Sequence, residues 1–273
     1  MNRALLIGFD RRLAAEFGAS APELEVELAP GSIEAVRTLR RRWFDVVLTS
    51  PDTTVQEDLG LLNELRTARP GVRVIVLAQE ATPADVLAAL ESHVFACFSA
   101  PFDVPEIATM ARRAAESDDW LDGIEVLSAR PNWLSVRVNC RLLTAERLIG
   151  FLTQLARDVP EVDRDGLMTA FREVLLNAIE HGGGFDPDNV VEVAAVRTER
   201  TFVFYVRDPG PGFDIERLPH AAVGGPDPLI VAERRAELGL RPGGFGLLIA
   251  RNVVDEMMLS GRGNEILLIK HLA

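Results

Sequence analysis

Residues 171–183 read FREVLLNAIEHGG. Phe171, Val174, Leu175 and Ala178, preceded by Leu167, recur at helical spacing and form one apolar stripe. Glu173, Asn177 and His181 recur every fourth residue along another line. The pattern predicts a helix from about Asp163 to His181 that buries one side and presents three polar side chains on another. Beside a nucleotide, an amide oxygen can ligate magnesium, and a carboxylate one turn away can orient or deprotonate an attacking hydroxyl. Taken alone, the same line of polar residues is also what a solvated helix face looks like.

The flanking sequence supplies the context. Two strands are predicted downstream, Asn189 to Arg197 and Arg200 to Arg207, and they run into DPGPGF at 208–213. A Pro- and Gly-rich stretch follows, and then GGFGLL at 243–248 opens another helix. A glycine-rich turn ahead of a helix presents backbone N–H groups to phosphates. An aspartate at a strand end can accept a hydrogen bond from an amino group such as that of adenine. Upstream, Ile124 to Ala129 and Trp133 to Asn139 read as a hairpin around Arg130-Pro131-Asn132. Thr144 stands as the cap of a helix whose Leu148, Phe151, Leu152 and Leu155 share a face. These elements predict an α/β sandwich, a mixed sheet with helices on one face.

The E-x-x-x-N spacing of Glu173 and Asn177, followed by the two glycine clusters in this order, resembles the asparagine box and glycine boxes of the histidine-kinase-like (GHKL) ATPases. The resemblance covers about residues 122–273. It implies ATP and Mg2+ as cofactors, with Asn177 as the metal ligand, Glu173 as the catalytic general base and Asp208 as the group that recognises adenine. Gly210 and Gly212 would start a mobile lid over 213–242, with a short helix from Leu229 to Leu238. Gly244, Phe245, Gly246 and Leu247 would approach the phosphates.

Only His93, His181, His220 and His271 occur, and none precedes this region on a long helical pair, so autophosphorylation on a dimerisation helix is not expected. The combination of FREVLLNAIEHGG, DPGPGF, GGFGLLIARNVVDEM and EILLIK is most similar to the anti-sigma-factor serine kinases. That branch implies a protein partner, an antagonist with a STAS-type domain, a sigma factor, or both. His181 fits the branch's N-A-x-x-H pattern, and it also stands where a histidine would cap its own helix through the dipole. Three functions stay open: serine/threonine kinase, ATP-gated binding module with little turnover, and phosphotransfer to a histidine of a separate protein.

The preceding half alternates short apolar runs, Ala4 to Ile7, Val46 to Leu48 and Val72 to Leu77, with amphipathic stretches such as Ser32 to Arg42 and Glu57 to Arg69. With Pro83 to Ser92, Val94 to Phe98 and Val104 to Glu116, this predicts a doubly wound parallel sheet of five strands and five helices. Residues 1–117 are expected to form this domain, joined to the next by a linker near 116–122. FDVVLTS, VRVIVLAQ and CFSAPFDVPEI resemble the last three active-site strands of a response-regulator receiver domain. Ser50 then occupies the phosphoacceptor position, Ala78 the hydroxyl position and Ala100 the lysine position, while Gly8 and Phe9 replace much of the acidic pair. The resemblance therefore implies a pseudo-receiver that binds a partner or dimerises, or else only packs; Ser50 is read as a turn residue or a modification site.

Composition sets the outer bounds. The 273 residues are 48% hydrophobic and 6% aromatic, enough for two ordinary domains. No apolar run reaches membrane-spanning length and no secretory signal is evident, which predicts a cytoplasmic protein without membrane contact. A net charge of −12 disfavours nucleic acid as a partner and favours protein. Cys97 and Cys140 lack metal-ligand spacing and read as reduced core thiols.

Overall fold

The computed structural model describes residues 2–117, 123–212 and 246–272. The chain divides into two compact units, Met1–Asp122 and Gly123–Ala273.

In the first unit, β1 (Asn2–Ile7), β2 (Leu24–Ala29), β3 (Val46–Leu48), β4 (Arg73–Ala78) and β5 (Ala96–Ser99) alternate with α1 (Arg11–Ser20), α2 (Ser32–Arg41), α3 (Val55–Ala68), α4 (Pro83–Glu91) and α5 (Val104–Glu116). The sheet is parallel, in the order β2-β1-β3-β4-β5. That is the flavodoxin-like doubly wound order, in which the connections leave in opposite directions from β1 and β3. Both faces of the central strands are covered, so Ala4, Leu5, Leu6, Val46, Val47 and Leu48 are fully buried. The strand LEVELA at Leu24–Ala29 and the helix Arg11–Ser20 supply the pair that the apolar runs do not mark. An edge strand buries little, and β2 accordingly alternates rather than running apolar throughout. At the carboxyl edge, Gly8 adopts φ +66°, and a Cβ there would stand 2.6 Å from Ser50 Oγ. The first and third strands therefore end against each other.

The second unit holds β6 (Ile124–Arg130), β7 (Trp133–Asn139), α6 (Leu142–Leu155), α7 (Glu161–Asn177), β8 (Val190–Arg197), β9 (Thr201–Arg207), α8 (Gly246–Val253), β10 (Glu256–Leu259) and β11 (Glu265–His271). Its sheet runs β10-β11-β9-β8-β7-β6, and among the described residues every pairing is antiparallel, which corrects the expectation of a mixed sheet. The physical reason is connectivity: β6 to β9 need only hairpins and one helical excursion that re-enters antiparallel. Alternation then decides the faces. Leu134, Val136, Val138, Val191, Val193, Phe202, Phe204, Val206, Ile266 and Leu268 are buried on the side that meets the helices. Phe171 of α7 packs on Phe204 with ring centroids 4.4 Å apart. A row of alternating charge, Glu125, Arg137, Glu192, Arg207 and Glu265, crosses the other side with contacts of 3.5–3.7 Å. Such exposed pairs add about 0–1 kcal/mol each and mainly fix register.

Thr144 does not cap α6. Arg141 holds that position, while Thr144 is buried within the first turn and donates to Asn139 Oδ1 at 2.6 Å. A cap must lie outside the helix, and here the chain turns into α6 directly from the end of β7.

Candidate functional site

The helix that carries Glu173 and Asn177 does not continue unchanged to His181. α7 ends at Asn177 and the chain winds on as a π-turn over Ala178–Gly182, closed by Gly183 N–H donating to the Ala178 carbonyl at 2.9 Å. Wider turns of this kind occur mostly as single turns inside helices, frequently at functional sites. The local sequence explains the geometry, because Gly182, Gly183 and Gly184 follow and the first two face obstacles. A Cβ on Gly182 would collide with the Asp208 carboxyl group, and one on Gly183 with Cys140 Sγ. Glu173 and Asn177 stay one turn apart and partly exposed, whereas His181 is exposed on the π-turn.

Asp208 follows β9 and is fixed from both sides. Its N–H donates to the Asn264 carbonyl at 3.0 Å, and Asn264 Nδ2 donates back to the Asp208 carbonyl at 3.1 Å. Gly210 N–H donates to Asp208 Oδ1 at 2.8 Å. A Cβ on Gly210 would lie 2.7 Å from that oxygen and 2.9 Å from Gly182 Cα, so the position admits only glycine without movement. Burial raises the Asp208 carboxyl above the ordinary carboxylate range, and the Gly210 N–H and the charge of Arg262 draw it partly back. Next along, Gly212 adopts φ +80° against the Arg262 carbonyl, and Arg262 Nε donates to the Pro211 carbonyl at 3.2 Å. The turn between β10 and β11 thus braces the DPGPG segment along its length.

The third component is the start of α8. Gly246 stands so close to Glu173 that a Cβ there would strike the Glu173 carboxylate. Leu247 is buried at the same end, and Gly166 and Val253 allow α8 to lie along α7, a Cβ on Gly166 falling 3.3 Å from the Val253 side chain. The structure therefore brings Glu173 to Gly246 and Asp208 to Gly210 and the π-turn, all around one end of α7. Gly244 and Phe245, the lid over 213–242 and the helix expected from Leu229 to Leu238 lie outside the described residues.

Residues 140–270 match the family described as the histidine kinase-like ATPase domain. The anti-sigma F factor of Anoxybacillus flavithermus is 31% identical over 125 residues, 45% of this chain and 77% of the relative. That of Geobacillus kaustophilus is 28% identical over 127 residues, 45% of this chain and 78% of the relative. The chain belongs to the histidine kinase-like ATPase family.

For the other unit, a response regulator from Thermotoga maritima aligns over 43% of this chain and 99% of its own, at 18% identity and a TM-score of 0.38. A Francisella response-regulator receiver domain aligns over 42% and 98%, at 18% identity and a TM-score of 0.38. The N-terminal unit is a doubly wound five-stranded parallel sheet, and Ser50, Ala78 and Ala100 stand at the carboxyl ends of β3, β4 and β5.

Within the ATPase domain, several contributors were not singled out from the sequence. Asn264 is 6% exposed and grips Asp208, yet GRGN between two strands reads only as a turn. Gly182 and Gly183 were visible in the quoted stretch, but which side chains they make room for depends on long-range packing. Cys140 is a core thiol against Gly183; burial, aided by Asp186 and Asp208, pushes it up to about 11. Among the described residues no three His, Cys, Asp or Glu side chains gather as a metal site, and no helix is long and apolar enough to cross a membrane. A nucleotide-bound divalent ion takes most of its ligands from phosphate and water, so a single amide oxygen such as that of Asn177 suits the protein's share.

Proposed function

We propose that the C-terminal unit binds Mg-ATP at the end of α7 and transfers the terminal phosphoryl group to a serine or threonine of an antagonist protein with a STAS-type domain. When bound, Mg-ATP supplies the activated phosphoryl group. Asp208, held through its backbone by Asn264 and through Oδ1 by Gly210, accepts a hydrogen bond from an exocyclic amino group. Asn177 offers an amide oxygen to the metal. Glu173 orients the acceptor hydroxyl and takes its proton, and the first turn of α8 turns backbone N–H groups toward phosphate oxygens. The single observation that carries this reading is the meeting of α7, the DPGPG turn and the α8 N-terminus, where glycines abut Asp208 and Glu173. Catalysis here consists of positioning and charge neutralisation.

The relatives are anti-sigma F factors, which favours a second reading, in which the nucleotide controls docking of a sigma factor with little turnover. One experiment separates the two. The purified chain is incubated with γ-labelled Mg-ATP and a panel of antagonist-domain proteins, beside Glu173→Ala. Acid-stable label on a serine of one antagonist, lost in the variant, supports the kinase. Normal ATP binding and normal sigma-factor docking by Glu173→Ala, with no label on any antagonist, supports the binding module. Acid-labile label on a histidine of a separate protein would overturn both.

A further inference from the structure

Beneath the β3–α3 connection of the first unit lies a carboxyl group that the nucleotide chemistry does not use. Asp58, in the first turn of α3, is 2% exposed, and among the described residues no Arg, Lys or His pairs with it. It meets two hydroxyls instead. Thr49 Oγ1 at the end of β3 is 2.5 Å from Oδ2, and Thr53 Oγ1 is 2.9 Å from Oδ1.

Each hydroxyl has one proton to give, and its other neighbour decides where that proton goes. Thr49 Oγ1 accepts from Leu77 N–H of β4 at 3.0 Å, so its own proton is available to Asp58 Oδ2. Thr53 Oγ1 also lies 2.7 Å from the Ser50 carbonyl, a group that only accepts, so its one proton stands between two acceptors, that carbonyl and Asp58 Oδ1. When it goes to the closer carbonyl, the contact between Thr53 Oγ1 and Asp58 Oδ1 needs a proton on Asp58 itself. An ionised Asp58 would either face the Thr53 lone pairs or take the Thr53 proton. In the second case the Ser50 carbonyl keeps only the 3.3 Å bond from Thr53 N–H.

We propose that Asp58 is a proton-operated latch: its neutral carboxyl closes the chain from Asp58 through Thr53 to Ser50 and holds the loop over residues 50–54, and its ionisation releases that loop. The electrostatic surroundings agree. Burial pushes Asp58 up to about 6; the Thr49 hydroxyl, and the Thr53 hydroxyl where its proton turns to Oδ1, draw it back, and the neighbouring Glu57 carboxylate adds to the rise. On β5, the Cys97 thiol is pushed up to about 12 and stays neutral over this range. On α4, the Asp85 carboxylate helps to raise the Cys97 thiol and accepts from Gln56 Nε2 of α3 at 2.9 Å. The latch acts at the carboxyl edge between β1 and β3, where the connections diverge and doubly wound sheets bind their ligands. A proton would thus move the loop on which Ser50 stands.

The test is an NMR titration of the full chain from pH 4.5 to 8, following the Asp58 carboxyl carbon and the amides of Ser50, Thr53 and Leu77. The expected result is one shared midpoint near 6, with the population of the released loop rising about tenfold per pH unit below it. In Asp58→Asn the loop amides should hold their low-pH positions throughout. Thr53→Val, which leaves Asp58 in place but removes the hydroxyl that links it to the Ser50 carbonyl, should uncouple the Ser50 amide from the carboxyl titration. A wild-type midpoint near 4, loop amides that do not follow the carboxyl group, or a Ser50 amide that still follows it in Thr53→Val would each overturn the proposal.

Discussion

Replacing Gly210 with alanine should uncouple Asp208 from its support. The added Cβ would stand 2.7 Å from Asp208 Oδ1, 2.9 Å from Gly182 Cα and 3.1 Å from the Gly182 carbonyl. Unstrained contacts of this kind begin near 3.5 Å, so something must yield by roughly 0.5–0.8 Å. Two of the three obstacles are backbone, which leaves the carboxylate as the group that moves. Moving it breaks the Gly210 N–H bond, a hydrogen bond to a charged group worth about 1.5–3 kcal/mol. If that carboxylate recognises adenine, ATP affinity should fall roughly 10–100-fold. The overpacking itself should cost on the order of 1–3 kcal/mol of stability. Gly150→Ala is the matched control, since nothing lies within 4 Å of a Cβ there and α6 gains about 1 kcal/mol of helix propensity. Calorimetric titration with ATP, paired with thermal melts, reads both quantities. A folded Gly210→Ala protein that binds ATP within twofold of wild type would refute the reasoning.

Further outcomes follow from the same contacts. Because burial raises Asp208, ATP affinity should begin to fall on acidification at a pH above the ordinary aspartate range, and Asp208→Asn should bind weakly at every pH without that dependence. Asp58 reports on stability with a defined sign. A carboxyl whose folded pKa is raised from 3.8 to about 6 binds its proton more tightly in the native state, so stability is lost as pH rises through that window and levels off above it. Between pH 4.5 and 7.5 the loss is on the order of 2 kcal/mol, and denaturant titrations at those two pH values should show it in wild type and largely abolished in Asp58→Asn. Cys140 and Cys97, with thiols pushed up to about 11 and about 12, should resist alkylation at pH 8 in the native protein and react in urea, as followed by mass spectrometry.

Much of this architecture was legible because it depends on local pattern. The apolar runs at Ala4, Val46 and Val72 mark strands buried on both faces, and the alternation in β8 and β9 marks a half-covered sheet. Glu173, Asp208 and their glycines stand in short motifs of readable spacing, and the structure sets Gly246 against Glu173 and Gly210 against Asp208. What the residues alone did not reveal depends on distant partners. The π-turn after Asn177 has no periodic signature, since the apolar stripe through Ala178 looks the same for α-helical and wider winding. Asn264 is 56 residues from Asp208, and a single asparagine in a turn carries no sign of what it grips. Thr144 has a cap-forming side chain, yet tertiary packing placed it inside the helix and gave its proton to Asn139. The antiparallel sheet could not be separated from a mixed one by counting strands, because both show the same alternation.

The central claim, that the end of α7 is an Mg-ATP site, is tested most directly by ATP titration calorimetry with and without Mg2+ on wild type and on Asn177→Ala. The account predicts saturable binding by wild type that strengthens with Mg2+, and a variant that keeps its thermal stability but loses the metal-dependent part. Metal-dependent binding that is unchanged in Asn177→Ala, or no ATP binding by the folded wild-type chain, would contradict it.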